Sequence, residues 1–200
     1  MKKWLMAAVL CSCITDVFGQ TYEDSIYKYR QAYRQEFIDE ERSPRKGEYT
    51  RFLRFYEPDA KYRVVADVKL TPESETFDIP THSGKKKSYR KYADLSFKID
   101  SKAYKLEVYQ SPDLMKNPKY SDHLFIPFND LTNYEETYGG GRYIDLSLND
   151  IKDGKVVLDF NKCYNPYCAY SDGYNCPIPP EANRLKVAVK AGEMNFGKEH

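Results

Sequence analysis

The sequence predicts a mainly β domain (α+β), an antiparallel β-barrel or sandwich of about eight strands with one N-terminal helix. Three observations carry this expectation. Short runs alternate apolar and polar residues and are separated by brief polar turns. No helical segment recurs between them, so the rhythm of a parallel βαβ sheet is missing. The chain also holds nineteen tyrosines and ten phenylalanines against one tryptophan, which suits half-buried strand surfaces. At 200 residues, one domain with small additions is expected.

The first segment reads as an address. Met1-Lys2-Lys3 is a basic start, Trp4 to Ile14 is a short apolar run, and Val17-Phe18-Gly19 precedes Gln20 as a cleavage site. About eleven residues are too few to span a bilayer, which needs ~20. Cleavage after Gly19 and export to the periplasm or beyond are expected, with a lipid anchor at Cys13 in Leu10-Cys11-Ser12-Cys13 as the alternative. No second hydrophobic stretch follows, so an integral membrane protein is not expected. Lys plus Arg number 31 and Asp plus Glu 30, a balance that argues against a nucleic-acid binder. The expected organisation is a signal over residues 1–19, a helix and linker over 20–48, one β-rich domain over 49–195 and a tail over 196–200.

In the helical segment, Ile26, Tyr29, Tyr33 and Phe37 share one face. Thr21 with Asp24 is a loose capping box, and Ser43-Pro44 ends the segment. Tyr62, Val64, Ala66, Val68 and Leu70 alternate with charged residues as a first strand, and Phe77 and Ile79 mark a second. Runs through Leu95, Phe97 and Ile99 and through Tyr104, Leu106 and Val108 flank Asp100-Ser101-Lys102 as a β-hairpin. A loop of about fifteen residues follows. Leu124 to Phe128 is a strand that Pro127 should confine to an edge or an end. Ile144, Leu146 and Leu148 share a face of the next strand, Val156, Leu158 and Phe160 form another, and Leu185, Val187 and Val189 suggest a closing one.

The chemistry concentrates between Leu124 and Leu185. Three cysteines survive the expected processing: Cys163, Cys168 and Cys176. Export makes a disulfide the default, and Cys168–Cys176 is the preferred pair, closing a short loop worth ~2.5 kcal/mol if unstrained. A thiolate metal site would need a fourth ligand, and His82 and His123 lack ligand spacing, so no metal and no cofactor are expected. A reactive thiol would need a base and an electropositive setting. Gly139-Gly140-Gly141-Arg142 reads either as an anion site or as a β-bulge with Arg142 paired to Asp145, Asp159 or another carboxylate. Asp145 and Asp159 lie off the apolar faces of their strands and could form an acid/base pair.

The runs YGGGRYIDL and DFNKCYNPYCAYSDGYNCPIPPEANRLKVAVKAGE resemble the exported bacterial family of unknown function DUF1684. The resemblance extends back through FYEPDAKYRVVADV and DHLFIPFNDLTN. It implies motif positions including Arg142, Asp159, Asn161, Tyr164, Asn165, Cys168, Cys176 and Asn183, and no assigned activity. Cys163 departs from the family pattern, which agrees with its being the unpaired thiol. The favoured expectation is a non-enzymatic module that binds a small polar ligand, sugar- or peptide-like, or an envelope partner. Its pocket would use Arg142, Asn161, Tyr164, Asn165 and Tyr170, because tyrosine and asparagine supply stacking surface and amide hydrogen bonds. The alternatives are a hydrolase using Asp145 and Asp159 or a thiol, and a purely structural envelope protein.

Overall fold

The computed structural model describes residues 12–44 and 47–198, with side chains from Thr21 onward. The basic start and most of the apolar run of the expected signal lie outside the described residues, as does the Cys13 side chain. Helix α1 spans Ser12–Asp39 and so begins before the expected Thr21. No proline interrupts residues 12–39 to stop it earlier. Its inner face is the one the spacing predicts: Ile26 and Phe37 are buried. Arg30 joins them, donating to the Tyr56 carbonyl at 2.7 Å and lying 4.9 Å from the Phe55 ring centroid.

Seven strands follow: β1 Arg63–Leu70, β2 Thr76–Pro80, β3 Lys86–Ile99, β4 Lys102–Gln110, β5 His123–Phe128, β6 Arg142–Ser147 and β7 Lys155–Asp159. All pairings are antiparallel. The order is β6-β5-β4-β3-β1-β7, with β2 beside β3, and the sheet curls into a half-barrel. The long β3 can serve two neighbours because its register with β4 shifts between Lys91 and Ala93, a bulge that bends the strand. Its first half pairs with β2 and its second with β1. Asp100 and Ser101 both take positive φ, 47° and 65°, which closes the β3–β4 hairpin with the twist that the strands require. The expected fifteen-residue loop holds two short helical turns, α2 Pro112–Met115, started by the Ser111 side chain, and a 3-10 turn over Pro118–Tyr120, started by Asn117.

The concave face buries Leu95, Leu106, Val108, Leu124, Ile126, Phe128, Ile144, Val156, Leu158 and Phe160 in one core. One expectation needs correction here. Leu185, Val187 and Val189 do not form an eighth strand. The chain crosses the mouth of the curl there, tied by Leu185 N–H to the Asn129 carbonyl at 2.8 Å and Leu131 N–H to the Val187 carbonyl at 3.1 Å. Leu185, Val189 and Ala191 are buried against the core. Lying over the core gives an alternating apolar pattern without a partner strand, which is why periodicity misreads it. Pro127, expected at an edge or a strand end, is the next-to-last residue of β5, beyond the one position that β5 pairs with β4.

A gap explains the proline. β4 and β5 share one paired position, Tyr109 with Phe125, and diverge beyond it. The Asn183 amide fills the divergence: Oδ1 accepts from Glu107 N–H at 2.6 Å, while Nδ2 donates to the carbonyls of Glu107 at 2.9 Å and Pro127 at 2.8 Å. A buried side-chain amide thus replaces a missing peptide partner, as buried backbone groups require. Among the described residues, no helix is long and apolar enough to cross a membrane.

Candidate functional site

The five sequence-selected residues separate into a closed knot and one groove residue. Gly141, at φ 87°, turns the chain into β6; a Cβ there would lie 2.7 Å from the Phe128 carbonyl oxygen and 2.6 Å from Pro179. The next residue, Arg142, is fully buried. Its guanidinium donates to Asp130 Oδ2 at 2.6 Å and to the carbonyls of Val189 at 2.9 Å, Ala191 at 2.5 Å and Glu193 at 3.2 Å. Asp130 Oδ1 in turn accepts from Thr132 N–H at 2.8 Å and Oγ1 at 2.6 Å, and from Val189 N–H at 3.2 Å. Arg142 is thus paired with a carboxylate, but with Asp130 and with neither Asp145 nor Asp159. Both terminal nitrogens of the guanidinium are satisfied within the protein, and Nε is buried without a partner.

Asn161, Asn165 and Tyr170 are buried in adjoining networks. Asn161 Oδ1 accepts from Asp59 N–H at 2.9 Å, and Nδ2 donates to Asp59 O at 2.9 Å and Tyr22 Oη at 2.8 Å. Asn165 donates from N to Glu193 Oε2 at 2.9 Å and from Nδ2 to Met194 O at 2.8 Å. The Tyr170 hydroxyl donates to Glu193 Oε1 at 2.6 Å, and Tyr33 of α1 reaches Oε2 at 3.2 Å. Burial pushes the Glu193 carboxyl up to about 7, against the pull of these donors and of Arg142.

The cysteines sit beside this knot. Cys163 is buried, its thiol pushed up to about 11 by burial and its Sγ 3.5 Å from the Ala191 carbonyl. It packs as a small apolar residue. Cys168 and Cys176 are present as thiols, not as the expected disulfide. They are nevertheless neighbours: Cys168 N–H donates to Cys176 Sγ at 3.2 Å, and the Cys168 thiol faces the Tyr174 carbonyl at 3.3 Å. Burial pushes the Cys176 thiol up to about 12.

Tyr164 lies elsewhere. β6 and β7 follow each other in the chain yet occupy opposite ends of the strand order, so a seam stays open where the half-barrel would close. A groove of ≈540 Å³ occupies it, with Tyr164, Asp145, Asp159, Arg63, Lys152 and Lys162 among its walls. Its size is within the range of small-ligand sites. Tyr164 reaches it because its N–H and carbonyl pair with those of Tyr143, at 3.0 and 2.9 Å, at one end of the seam. Its hydroxyl donates to Asp145 Oδ2 at 2.6 Å, and burial together with Asp145 holds the phenol well above its ordinary value. His123 Nε2 contacts Asp145 Oδ1 at 2.9 Å. Burial opposes charge on His123, but the bond to Asp145 and the charges of Asp145 and Asp122 raise its pKa overall. Across the groove, Asp159 Oδ1 accepts from Tyr22 Oη at 2.9 Å and from N and Nδ2 of Asn161, both at 3.1 Å.

The two carboxylates singled out from sequence thus flank one groove. Sequence reasoning missed Arg63, Lys152 and Lys162, which sit among many similar surface cations. Asp130 was also missed, because nothing in Asn129-Asp130-Leu131 separates a buried acceptor from an ordinary turn. Among the described residues no cluster of His, Cys, Asp and Glu is arranged to hold a metal ion.

The family described as "Protein of unknown function (DUF1684)" matches residues 49–194. Among solved structures, the chain is similar to the solution NMR structure of an uncharacterised protein from Haloarcula marismortui. The two are 35% identical, with a TM-score of 0.67, over 90% of this chain and 97% of that one. The search of curated proteins finds no match.

Two outcomes follow from the knot. The Glu193 pKa of about 7 lies above the unfolded value of ~4.3. The stabilisation is therefore full below the unfolded value and is lost as pH rises through about 7. In urea titrations this carboxyl should lower stability by about 1.4 kcal/mol per pH unit across that window. Glu193→Gln should remove that part of the slope, and equal slopes in the two proteins would contradict it. His123 contributes with the same sign at higher pH but is common to both. For the cysteines, residues 20–200 held in an oxidising buffer and denatured without reductant should titrate one thiol, and three after reduction. Three before reduction would rule the disulfide out.

Proposed function

The chain belongs to the family described as protein of unknown function DUF1684, and on that premise we propose that it is a binding module whose small polar ligand seats in the seam groove. The observation that supports this reading is the unclosed seam itself. A half-barrel that could close between consecutive strands β6 and β7 instead leaves a groove of ≈540 Å³. Its walls combine tyrosine hydroxyls, the Asn149 amide and charges of both signs, chemistry suited to hydroxyl, amide and carboxylate groups. The ligand site moves here from Arg142, Asn161, Asn165 and Tyr170, whose polar groups serve the fold. Tyr164 alone stays with the ligand.

Hydrolysis by Asp145 and Asp159 is the weaker reading. Both face the groove, but each already accepts hydrogen bonds from fixed partners, Tyr164 and His123 on one side and Tyr22 and Asn161 on the other. The reading includes export, with cleavage after Gly19 and Cys13 as the alternative lipid anchor, and an envelope setting. Its support is the sequence pattern of residues 1–19.

The test is a fragment screen by ¹H–¹⁵N NMR on the full chain, with neutral sugars, uronic acids and capped dipeptides as probes. Bound fragments should shift the amides of Asp145, Lys152, Val157 and Tyr164 together. Hits that cluster elsewhere, or none at this groove, would overturn the reading.

A further inference from the structure

Away from the seam and independent of it, we propose a second site, a notch between β1 and β3 that takes the alkyl chain of a single-chain amphiphile with an anionic head, such as a long-chain carboxylate. The notch is where the sheet splits. Thr71 N–H bonds the Tyr92 carbonyl at 2.9 Å. That bond sets the phase of the β1–β3 ladder, in which Lys69 with Asp94 and Asp67 with Ser96 are the positions that exchange bonds. The ladder stops at Asp67 with Ser96. Both strands run on, β1 beside β7 to Arg63 and β3 beside β4 to Ile99. Val65 and Lys98, next in phase, therefore exchange no bonds across the gap.

A groove of ≈710 Å³ occupies this split, within the range of small-ligand sites. Residues from both sides of the sheet line it. Val64, Phe97 and Tyr104 belong to the core side, whereas Val65, Lys98 and Lys105 alternate with them and face outward. Phe97 carries the notch down to the core: it is buried, with its ring centroid 5.7 Å from that of Phe160 and 6.1 Å from that of Tyr104. Val65, 59% exposed, extends the apolar wall outward. The residue opposite Lys98 in β4 is the small Ala103, which also lines the groove. Walls of this kind favour an alkyl chain over water.

Charge selects the head group. Asp67 is the one carboxylate among the lining residues, and Lys155 of β7 forms an ion pair with it. Asp94, Asp100 and Glu107, the other acids of β3, β4 and their turn, lie outside the lining, and Lys91 holds both Asp94 and Glu107. Lys98 and Lys105 line the groove and, among the described residues, make no ion pair. With Asp67 counted as fully charged, two lysines still stand against one aspartate, and Lys155 adds a third. A carboxylate at the mouth meets the two ammonium groups and the N–H groups of Val65 and Lys98 that the β1–β3 ladder leaves unused. An apolar floor under a cationic mouth selects an acidic chain over a cationic one.

The experiment titrates the full chain with octanoate, decanoate and dodecanoate below their micelle concentrations, followed by ¹H–¹⁵N NMR. The amides of Val65, Phe97, Lys98 and Tyr104 should shift together, while those of Asp145 and Tyr164 in the seam stay in place. Affinity should rise about fourfold with each added methylene. Dodecyltrimethylammonium should bind at least about tenfold more weakly than dodecanoate. A Lys98→Glu/Lys105→Glu variant, altered only at exposed positions, should lose dodecanoate affinity by about the same factor. Equal affinity for the two head groups, no dependence on chain length, shifts confined to other residues, or no binding would overturn the proposal. Binding to phosphatidylglycerol vesicles without binding of the monomeric carboxylates would also overturn it, by making this face a membrane contact.

Discussion

The buried guanidinium of Arg142 is the interaction on which the rest of the structure depends. It sits at the start of β6 and holds together three stretches that make no common sheet: the Asp130 turn after β5, β6 itself, and the chain from Val189 to Glu193 that covers the core. Three alternate carbonyls along an irregular segment, those of Val189, Ala191 and Glu193, have no strand to bond. In a dry interior such groups carry a desolvation penalty unless a donor reaches them. A guanidinium supplies several donors in one plane, and Asp130 neutralises its charge. The 2.6 Å contact between two fully buried side chains is the electrostatic half of that solution.

Three asparagines repeat this logic with a neutral group. Asn161 pairs with both the N–H and C=O of Asp59, Asn183 with those of Glu107, and Asn165 ties Met194 and Glu193. The Asn161 and Asn183 amides act as extra peptide units where the backbone ladder is interrupted, whereas Asn165 uses only its Nδ2 and leaves Oδ1 buried without a partner. An asparagine- and proline-rich stretch is therefore compatible with a buried position, because its polar groups face other polar groups. The residues that make the C-terminal motif distinctive serve cohesion, and the open chemistry of the molecule lies at the seam instead.

How much of this could be read from sequence follows from range. The helix face through Ile26 and Phe37, the β3–β4 hairpin and the inward faces of β6 and β7 are local patterns, and period and turn chemistry report them. The covering segment through Leu185 and Val189 reads as a strand because both face one core and so alternate like one. The choice of Arg142 as a special residue was legible from its glycine-rich approach, but its role was not. Whether a guanidinium meets a ligand or Asp130 depends on a contact that no spacing encodes. The seam was invisible for the same reason. Nothing in β6 or β7 taken separately says that two strands joined by a short turn fail to pair.

Cohesion and openness are connected by Tyr164. Its backbone closes one end of the seam against Tyr143, while its hydroxyl faces Asp145 in the groove. The account therefore assigns buried Arg142 to folding and exposed Arg63 to the groove, and unfolding in urea compares the two directly. Arg142→Met should lose about 3–5 kcal/mol, the cost of leaving Asp130 buried without its partner, or fail to fold, while Arg63→Met stays within about 0.5 kcal/mol of the parent. An Arg142→Met protein with the parent's midpoint and slope would contradict the account.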